Sequence, residues 1–204
     1  MSLYTLVLFL HVSGAIGAFL SIGSWLFGLS ALRRARYVEQ VRVIAWLIII
    51  ASPLMALSAL LIAITGLDMA LSAWGLQTGW IAVAIVSFVL MAPVGPLVLA
   101  ARMYTIMDMA REAPDGPLPD ELERRTHDLI LGIVAQTLTA LLLGIVFLMT
   151  TKPSLTTSII VMVIALACGL LLGVPYRYAT RRTGSSDRTS EDPFLKKTIW
   201  TRRW

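Results

Sequence analysis

Residues 3–32 have the sequence LYTLVLFLHVSGAIGAFLSIGSWLFGLSAL. This stretch contains no Asp, Glu, Lys or Arg, and the first charged side chain that follows it is Arg33. An α-helix rises 1.5 Å per residue, so about 20 residues cross a bilayer core that is about 30 Å thick. The stretch therefore predicts a first transmembrane helix. It lacks a basic region at its start and is too long for the apolar part of a signal peptide.

Four further apolar stretches are long enough to cross a bilayer. They lie near residues 44–67, 79–101, 129–150 and 156–176. Each is continuously hydrophobic, whereas the strands of a membrane barrel alternate between apolar and polar residues. The sequence therefore predicts an all-α fold, a polytopic bundle of five transmembrane helices within residues 1–179, followed by a tail of residues 180–204.

The composition agrees with an integral membrane protein. The chain is 57% hydrophobic and 14% charged, whereas soluble domains are about 25% charged. Its mean hydropathy is +0.80, so too few polar side chains remain to cover a globule in water. The single cysteine, Cys168, excludes an intramolecular disulfide and a Cys-x-x-Cys metal site.

The basic residues predict how the chain is oriented. Of the seventeen Lys and Arg residues, only Lys152 falls on the opposite side of the membrane from the others. Loops rich in Lys and Arg stay in the cytoplasm, so we expect the N-terminus outside and the C-terminus in the cytoplasm. Topological anchoring of this kind explains the net charge of +5, and no nucleic-acid partner is expected.

His11 is the most informative single residue, because it lies about 12 Å inside the first helix and a polar side chain at that depth needs a partner. Depth matching offers Ser58 and Thr139 as hydrogen-bond partners, with Gln136 one turn deeper. Three roles stay open: a hydrogen bond between helices, axial ligation of haem, another tetrapyrrole or copper, and a proton relay. Met162 falls at a similar depth and is the candidate second axial ligand. His127 lies about 18 Å away along the membrane normal and cannot be that ligand.

Small residues predict a close helix contact on the first helix. Such residues at four-residue spacing let two helix backbones approach each other. The neighbouring helix belongs either to this chain or to another subunit. The residues concerned are Ser13, Gly14, Gly17, Ala18 and Ser21.

The tail combines basic and aromatic residues. It ends in Phe194-Leu195-Lys196-Lys197-Thr198-Ile199-Trp200-Thr201-Arg202-Arg203-Trp204. One interpretation is a solvated tail that touches anionic lipid headgroups. The other is docking onto a partner subunit, because two tryptophans offer apolar surface to bury. The residues expected to bind a partner are Phe194, Trp200, Arg202, Arg203 and Trp204.

The third helix contains Pro93-Val94-Gly95-Pro96. Proline removes backbone donors, so we expect a kink or a short unwound segment there. Broken helices line the binding sites of many transporters. On the other hand, no charged residue lies at a helix centre, and the sequence has no hydrolytic constellation, HExxH motif or nucleotide loop. These observations argue against an enzyme.

Short motifs in the first hundred residues resemble a family of bacterial predicted integral membrane proteins that carries a domain-of-unknown-function label. The motifs are Leu10-His11-Val12-Ser13-Gly14-Ala15, Thr65-Gly66-Leu67 and Gly79-Trp80. This resemblance implies a multi-pass protein of the bacterial cytoplasmic membrane. The pattern is also distantly similar to the copper-resistance D family, whose membrane histidines are associated with copper or haem. Only His11 would correspond to those histidines.

Three functional hypotheses follow. The first is a non-catalytic integral membrane subunit or scaffold that packs with partner subunits, or with copies of itself, and docks through its tail. The second is a membrane redox protein that binds haem, another tetrapyrrole or copper through His11. The third is a small-solute transporter that uses the interrupted third helix.

Overall fold

The computed structural model describes residues 2–173, and within that range the fold is all-helical, as predicted. Its helices are α1 (Leu3–Leu32), α2 (Val38–Met69), α3 (Gly79–Met91), α4 (Ala101–Glu112), α5 (Asp120–Thr126), α6 (Leu129–Thr151) and α7 (Leu155–Gly173). Five segments are long and apolar enough to cross a membrane, which confirms the predicted number. They are Leu3–Leu32, Val38–Trp74, Gly79–Glu112, Asp120–Thr151 and Leu155–Gly173.

The second span is longer at both ends than residues 44–67. It begins at Val38 and continues past Met69 through a π-helical turn, Ala70–Trp74. Its first turns alternate buried Val38 and Val41 with polar residues on the outer face, so their average hydrophobicity is too low to mark a membrane helix. This extension moves the C-terminal end of the span to Trp74 and so changes which of its residues lie opposite α1.

The third span is interrupted at its prolines, as predicted. α3 ends at Met91, and a π-helical turn, Gly95–Ala100, leads into α4. Proline has no N–H to donate and its ring crowds the preceding turn, so Pro93 and Pro96 disturb the regular α-helical hydrogen bonds of this segment. Beyond residue 101 the helix continues as α4, because apolar side chains bury one face of it. These are Met103, Ile106, Met107 and Ala110.

A short helix opens the fourth span. α5 begins at Asp120, and Pro119 occupies the capping position without a side-chain hydrogen bond. The chain then breaks, and α6 has a cap of its own, in which the Asp128 carboxylate accepts a hydrogen bond from the Ile130 N–H at 2.9 Å. Asp128 therefore caps the apolar part of the fourth span, one short helix after Asp120.

The bundle consists of two antiparallel hairpins, α1–α2 and α6–α7, with α3 packed against α6 and α7 and with α4 packed against α2. One end holds Arg33, Arg42 and Arg102, and we call it the arginine-rich end. The largest cluster of buried side chains lies in the half of the bundle near this end. Its members include Trp25, Leu29, Leu32, Ile48, Met103, Ile106, Leu122 and Leu131.

The opposite end, which we call the distal end, is held by aromatic contacts. The rings of Trp74 and Trp80 meet edge to face with their centroids 5.7 Å apart. The ammonium group of Lys152 lies 4.0 Å from the centroid of the Trp74 ring, a distance suited to a cation–π interaction. Lys152 also ends α6 in a left-handed backbone conformation. These contacts join the second, third and fourth spans.

Candidate functional site

His11 lies at the interface of α1 and α2. Its Nδ1 is 3.1 Å from the Thr65 hydroxyl oxygen, and that hydroxyl donates to the Leu61 carbonyl at 2.5 Å. A hydroxyl has a single proton, so Thr65 accepts in its bond with His11, and the imidazole Nδ1–H donates. The interaction joins two helices within the membrane-spanning part of the chain.

The partner of His11 is therefore neither Ser58 nor Thr139, and the sequence-based expectation was wrong on this point. The reason is the longer second span. Its C-terminal end is Trp74 rather than residue 67, so Thr65 lies opposite His11, where Ser58 was expected. The Thr139 hydroxyl donates within its own helix to the Ala135 carbonyl at 2.8 Å.

Met162 is buried in a different part of the bundle. It belongs to a cluster with Ala84 of α3 and with Ile145 and Leu148 of α6, whereas His11 packs on α2. The described residues therefore give the two candidate axial ligands different neighbours. No group of three or more His, Cys, Asp or Glu side chains that could hold a metal ion occurs within residues 2–173.

The small residues of α1 face α2. A Cβ added at Gly14 would lie 3.0 Å from the Ile62 Cγ1, and one added at Gly17 would collide with the Ser58 hydroxyl. Ala18 is buried. Ser21 is also buried, whereas the Ser13 hydroxyl donates to the Phe9 carbonyl of its own helix at 2.8 Å. The close approach made possible by this stretch is thus an approach within the chain.

A second set of small residues, on α7, was missed by the sequence analysis. A Cβ added at Gly169 would lie 2.5 Å from the Thr137 Cα, and one added at Gly173 would lie 2.7 Å from the Ile133 Cα. Together with Ala165 these glycines have the same four-residue spacing as the small residues of α1. That spacing was visible in the sequence and would have predicted a close helix contact on α7, although not that its partner is α6.

A groove with a volume of about 670 Å³ lies between α3, α6 and α7 and opens to one side. Its lining is almost entirely apolar. Ser87 and Thr137 contribute its hydroxyl groups. The Thr137 hydroxyl oxygen is buried and has no hydrogen-bond partner among the residues that the structure describes. The groove is thus suited to hydrocarbon.

Asp128 links three helices at the arginine-rich end. Besides capping α6, its carboxylate forms an ion pair with Arg102 of α4. Its backbone carbonyl accepts a hydrogen bond from Nη2 of Arg33, at the end of α1, at 3.3 Å. The Arg33 guanidinium crosses the face of Gly132, where a Cβ would lie 2.6 Å from Nη2. A larger residue at position 132 would displace this arginine.

Arg42 fixes the segment after α4. Its guanidinium donates to the carbonyls of Ala110 at 2.7 Å and Ala113 at 2.6 Å, and to the Asp115 carboxylate at 2.5 Å. The neighbouring backbone pairs as well, since the Val38 N–H donates to the Gly116 carbonyl at 3.0 Å. From the sequence, these arginines were expected to act only as topological anchors, because their acceptors lie about 70 or more residues away along the chain.

Residues 5–153 match the model of a family described as a predicted integral membrane protein, DUF2269. The chain belongs to this family. The matched region contains α1 to α6, and it confirms the resemblance predicted from the three short motifs. No curated protein and no solved structure matches this DUF2269 chain significantly. The likeness to the copper-resistance D family stays a prediction. The tail residues that are expected to bind a partner lie outside the described residues, and they are Phe194, Trp200, Arg202, Arg203 and Trp204.

Proposed function

We propose that this protein is a non-catalytic integral membrane subunit, or scaffold, that packs with other membrane subunits or with copies of itself. The observation that carries this proposal is the exposed apolar surface of the distal half of the α1–α2 hairpin. This half comprises residues 3–21 and 55–74. In this half most of the large apolar side chains are exposed on both helices. Ile16 is 57% exposed and Leu57 is 65% exposed.

The residues that are buried in this half support the same conclusion. They are small or polar, and Gly14, Ala18, Ser58 and Thr65 are used in the contact between α1 and α2. The clusters of large buried side chains lie elsewhere, near the arginine-rich end and around α3, α6 and α7. Two packed helices with outward apolar surfaces offer a partner helix many van der Waals contacts, which drive association in lipid.

The tail is the second proposed contact. If the C-terminus is cytoplasmic, as the distribution of basic residues favours, then Phe194, Trp200 and Trp204 would meet a partner on that side of the membrane. Arg202 and Arg203 would supply the charge that orients the contact. The bacterial cytoplasmic membrane is the location that we propose with this orientation.

Native mass spectrometry of the gently solubilised complex tests the proposal. We expect a mass well above the 22.3 kDa of one chain. Ile16→Trp, which enlarges the distal hairpin surface, and deletion of residues 190–204 should each shift the population toward the single chain. Leu171→Trp is the matched control, because Leu171, which is 69% exposed, lies on α7 and outside the distal hairpin. The proposal is contradicted if the wild-type protein is a single chain, or if Leu171→Trp dissociates the complex as much as Ile16→Trp does.

Ligation of haem, another tetrapyrrole or copper by His11 is the second candidate. The Nδ1–Thr65 hydrogen bond favours it, because ligating histidines usually donate their other ring N–H to a fixed acceptor. A Soret band in the absorption spectrum of the purified protein would support a haem, provided that His11→Ala removes it and His127→Ala does not. Absence of the band in freshly purified native protein contradicts haem binding, and metal analysis of the same sample tests copper.

A further inference from the structure

A polar pocket with a volume of about 270 Å³ lies at the arginine-rich end, between α4, the end of α5 and the start of α6. The subunit function proposed for the distal hairpin and the tail does not involve this pocket. It is lined by Ala101, Arg102, Thr105, Ile106, Arg125 and Asp128.

The position of the pocket along the chain sets its depth in the membrane. Arg102 is the first charged residue after the start of α3 at Gly79, and Asp128 is the last before the apolar α6. The pocket therefore lies where both spans pass from uncharged to charged sequence. Charged side chains leave the hydrocarbon at this level and meet lipid headgroups.

Both arginines have donors to spare. Arg102 uses Nη1 for the Asp128 carboxylate, and Arg125 uses Nε for Glu121, which lies outside the pocket, at 3.4 Å. The other nitrogens of these two guanidinium groups have no protein acceptor among residues 2–173. The lining side chains, two arginines and one aspartate, sum to one positive charge, which a phosphodiester would balance.

Along the helix axes, the apolar groove between α3, α6 and α7 begins close to this pocket. Val94 and Ile133 line its near end. Val94 precedes Ala101 by seven residues, and Ile133 follows Asp128 by five. At 1.5 Å per residue these separations are about 10 Å and about 8 Å. A lipid whose phosphate occupies the pocket could thus lay an acyl chain along α3, α6 and α7.

We propose that the pocket and the groove form one binding site for an anionic glycerophospholipid. The phosphate lies between Arg102 and Arg125, and one acyl chain lies in the groove. This site is separate from the distal hairpin surface, so it does not depend on the subunit function proposed above.

The test uses the full-length protein in neutral detergent with phosphatidylglycerol, phosphatidylcholine or inorganic phosphate added. Native mass spectrometry counts bound lipid, and the melting temperature reports stabilisation by each addition. Arg125→Ala should weaken phosphatidylglycerol binding about ten-fold, because it removes charge-assisted hydrogen bonds. The matched control is Arg124→Ala, which removes the adjacent arginine. Arg124 also pairs with Glu121 but does not line the pocket, so wild-type binding is expected.

A second pair of variants tests the groove. Leu166→Trp fills it and should reduce phosphatidylglycerol binding, whereas Leu171→Trp, outside the groove lining, should not. Equal losses in Arg124→Ala and Arg125→Ala would show diffuse surface charge and overturn the headgroup site. The proposal of an anionic lipid would be overturned if phosphatidylcholine bound as tightly as phosphatidylglycerol, or if inorganic phosphate stabilised the protein as much as phosphatidylglycerol does. Unchanged binding in Leu166→Trp would overturn the acyl-chain position.

Discussion

The α1–α2 and α6–α7 hairpins are both antiparallel pairs that pack through small residues, but their glycines face different atoms. On α1, Gly17 faces the Ser58 side chain and Gly28 faces the Ile48 side chain. On α7, Gly169 and Gly173 face the backbone of α6. Side chains can change rotamer to make room, whereas a helix backbone moves only if the whole helix moves. We therefore expect α6–α7 to be the more rigid pair.

The two hairpins also differ in what surrounds them. α6 and α7 pack against α3, and α6 reaches the core near the arginine-rich end. The distal half of α1–α2 relies instead on small residues and on the His11–Thr65 hydrogen bond. We therefore expect α3, α6 and α7 to form a stable body. The distal half of the α1–α2 hairpin, in contrast, is suited to binding partners.

Gly169→Ala should have the largest effect, because the new Cβ would meet the Thr137 Cα at 2.5 Å and force α6 and α7 apart. Overpacking of this kind costs about 1–3 kcal/mol, so we expect the free energy of unfolding to fall by about 2 kcal/mol. Unfolding in mixed micelles measures it. Gly23→Ala is the control, since nothing lies within 4 Å of a Cβ there. Equal stability of the two variants would refute the rigid backbone contact.

Thr65→Val should have an intermediate effect. It removes the acceptor of His11, and hydrogen bonds between membrane helices are worth about 0.6 kcal/mol on average. Thr139→Val is the matched control, because the Thr139 hydroxyl bonds within its own helix, as Thr65 also does to Leu61. The difference in unfolding free energy between the two variants isolates the bond to His11. No difference would mean that this bond contributes nothing to the hairpin.

Gly17→Ala should have the smallest effect, within about 0.5 kcal/mol, because the gain in helix propensity opposes the collision with Ser58. Among residues 2–173 no hydrogen bond holds the Ser58 hydroxyl in place, so this hydroxyl can rotate away from the new methyl group. The double variant Gly17→Ala/Ser58→Ala removes the collision and should be at least as stable as wild type. A loss as large as that of Gly169→Ala would show that both hairpins are equally rigid.

His11 shows how far sequence reasoning reached at the candidate site. Its need for a polar partner was predicted correctly, because it follows from its position in an apolar stretch. The identity of the partner was wrong, because Thr65 lies opposite only when the second span extends to Trp74. The turns that extend this span are stabilised by packing and by a π-helical turn, neither of which hydropathy measures.

The sequence by itself determined the number of spans, their approximate limits and the interruption at Pro93, since transfer into lipid depends on the composition of each segment alone. Only the tertiary structure decided which helices are paired and which residues face each other. Lipid is as apolar as leucine, so no hydrophobic pattern distinguishes the inner face of a membrane helix from its outer face. Close contacts such as Gly169 with Thr137, or Arg33 with Asp128, depend on shape and on acceptors far along the chain.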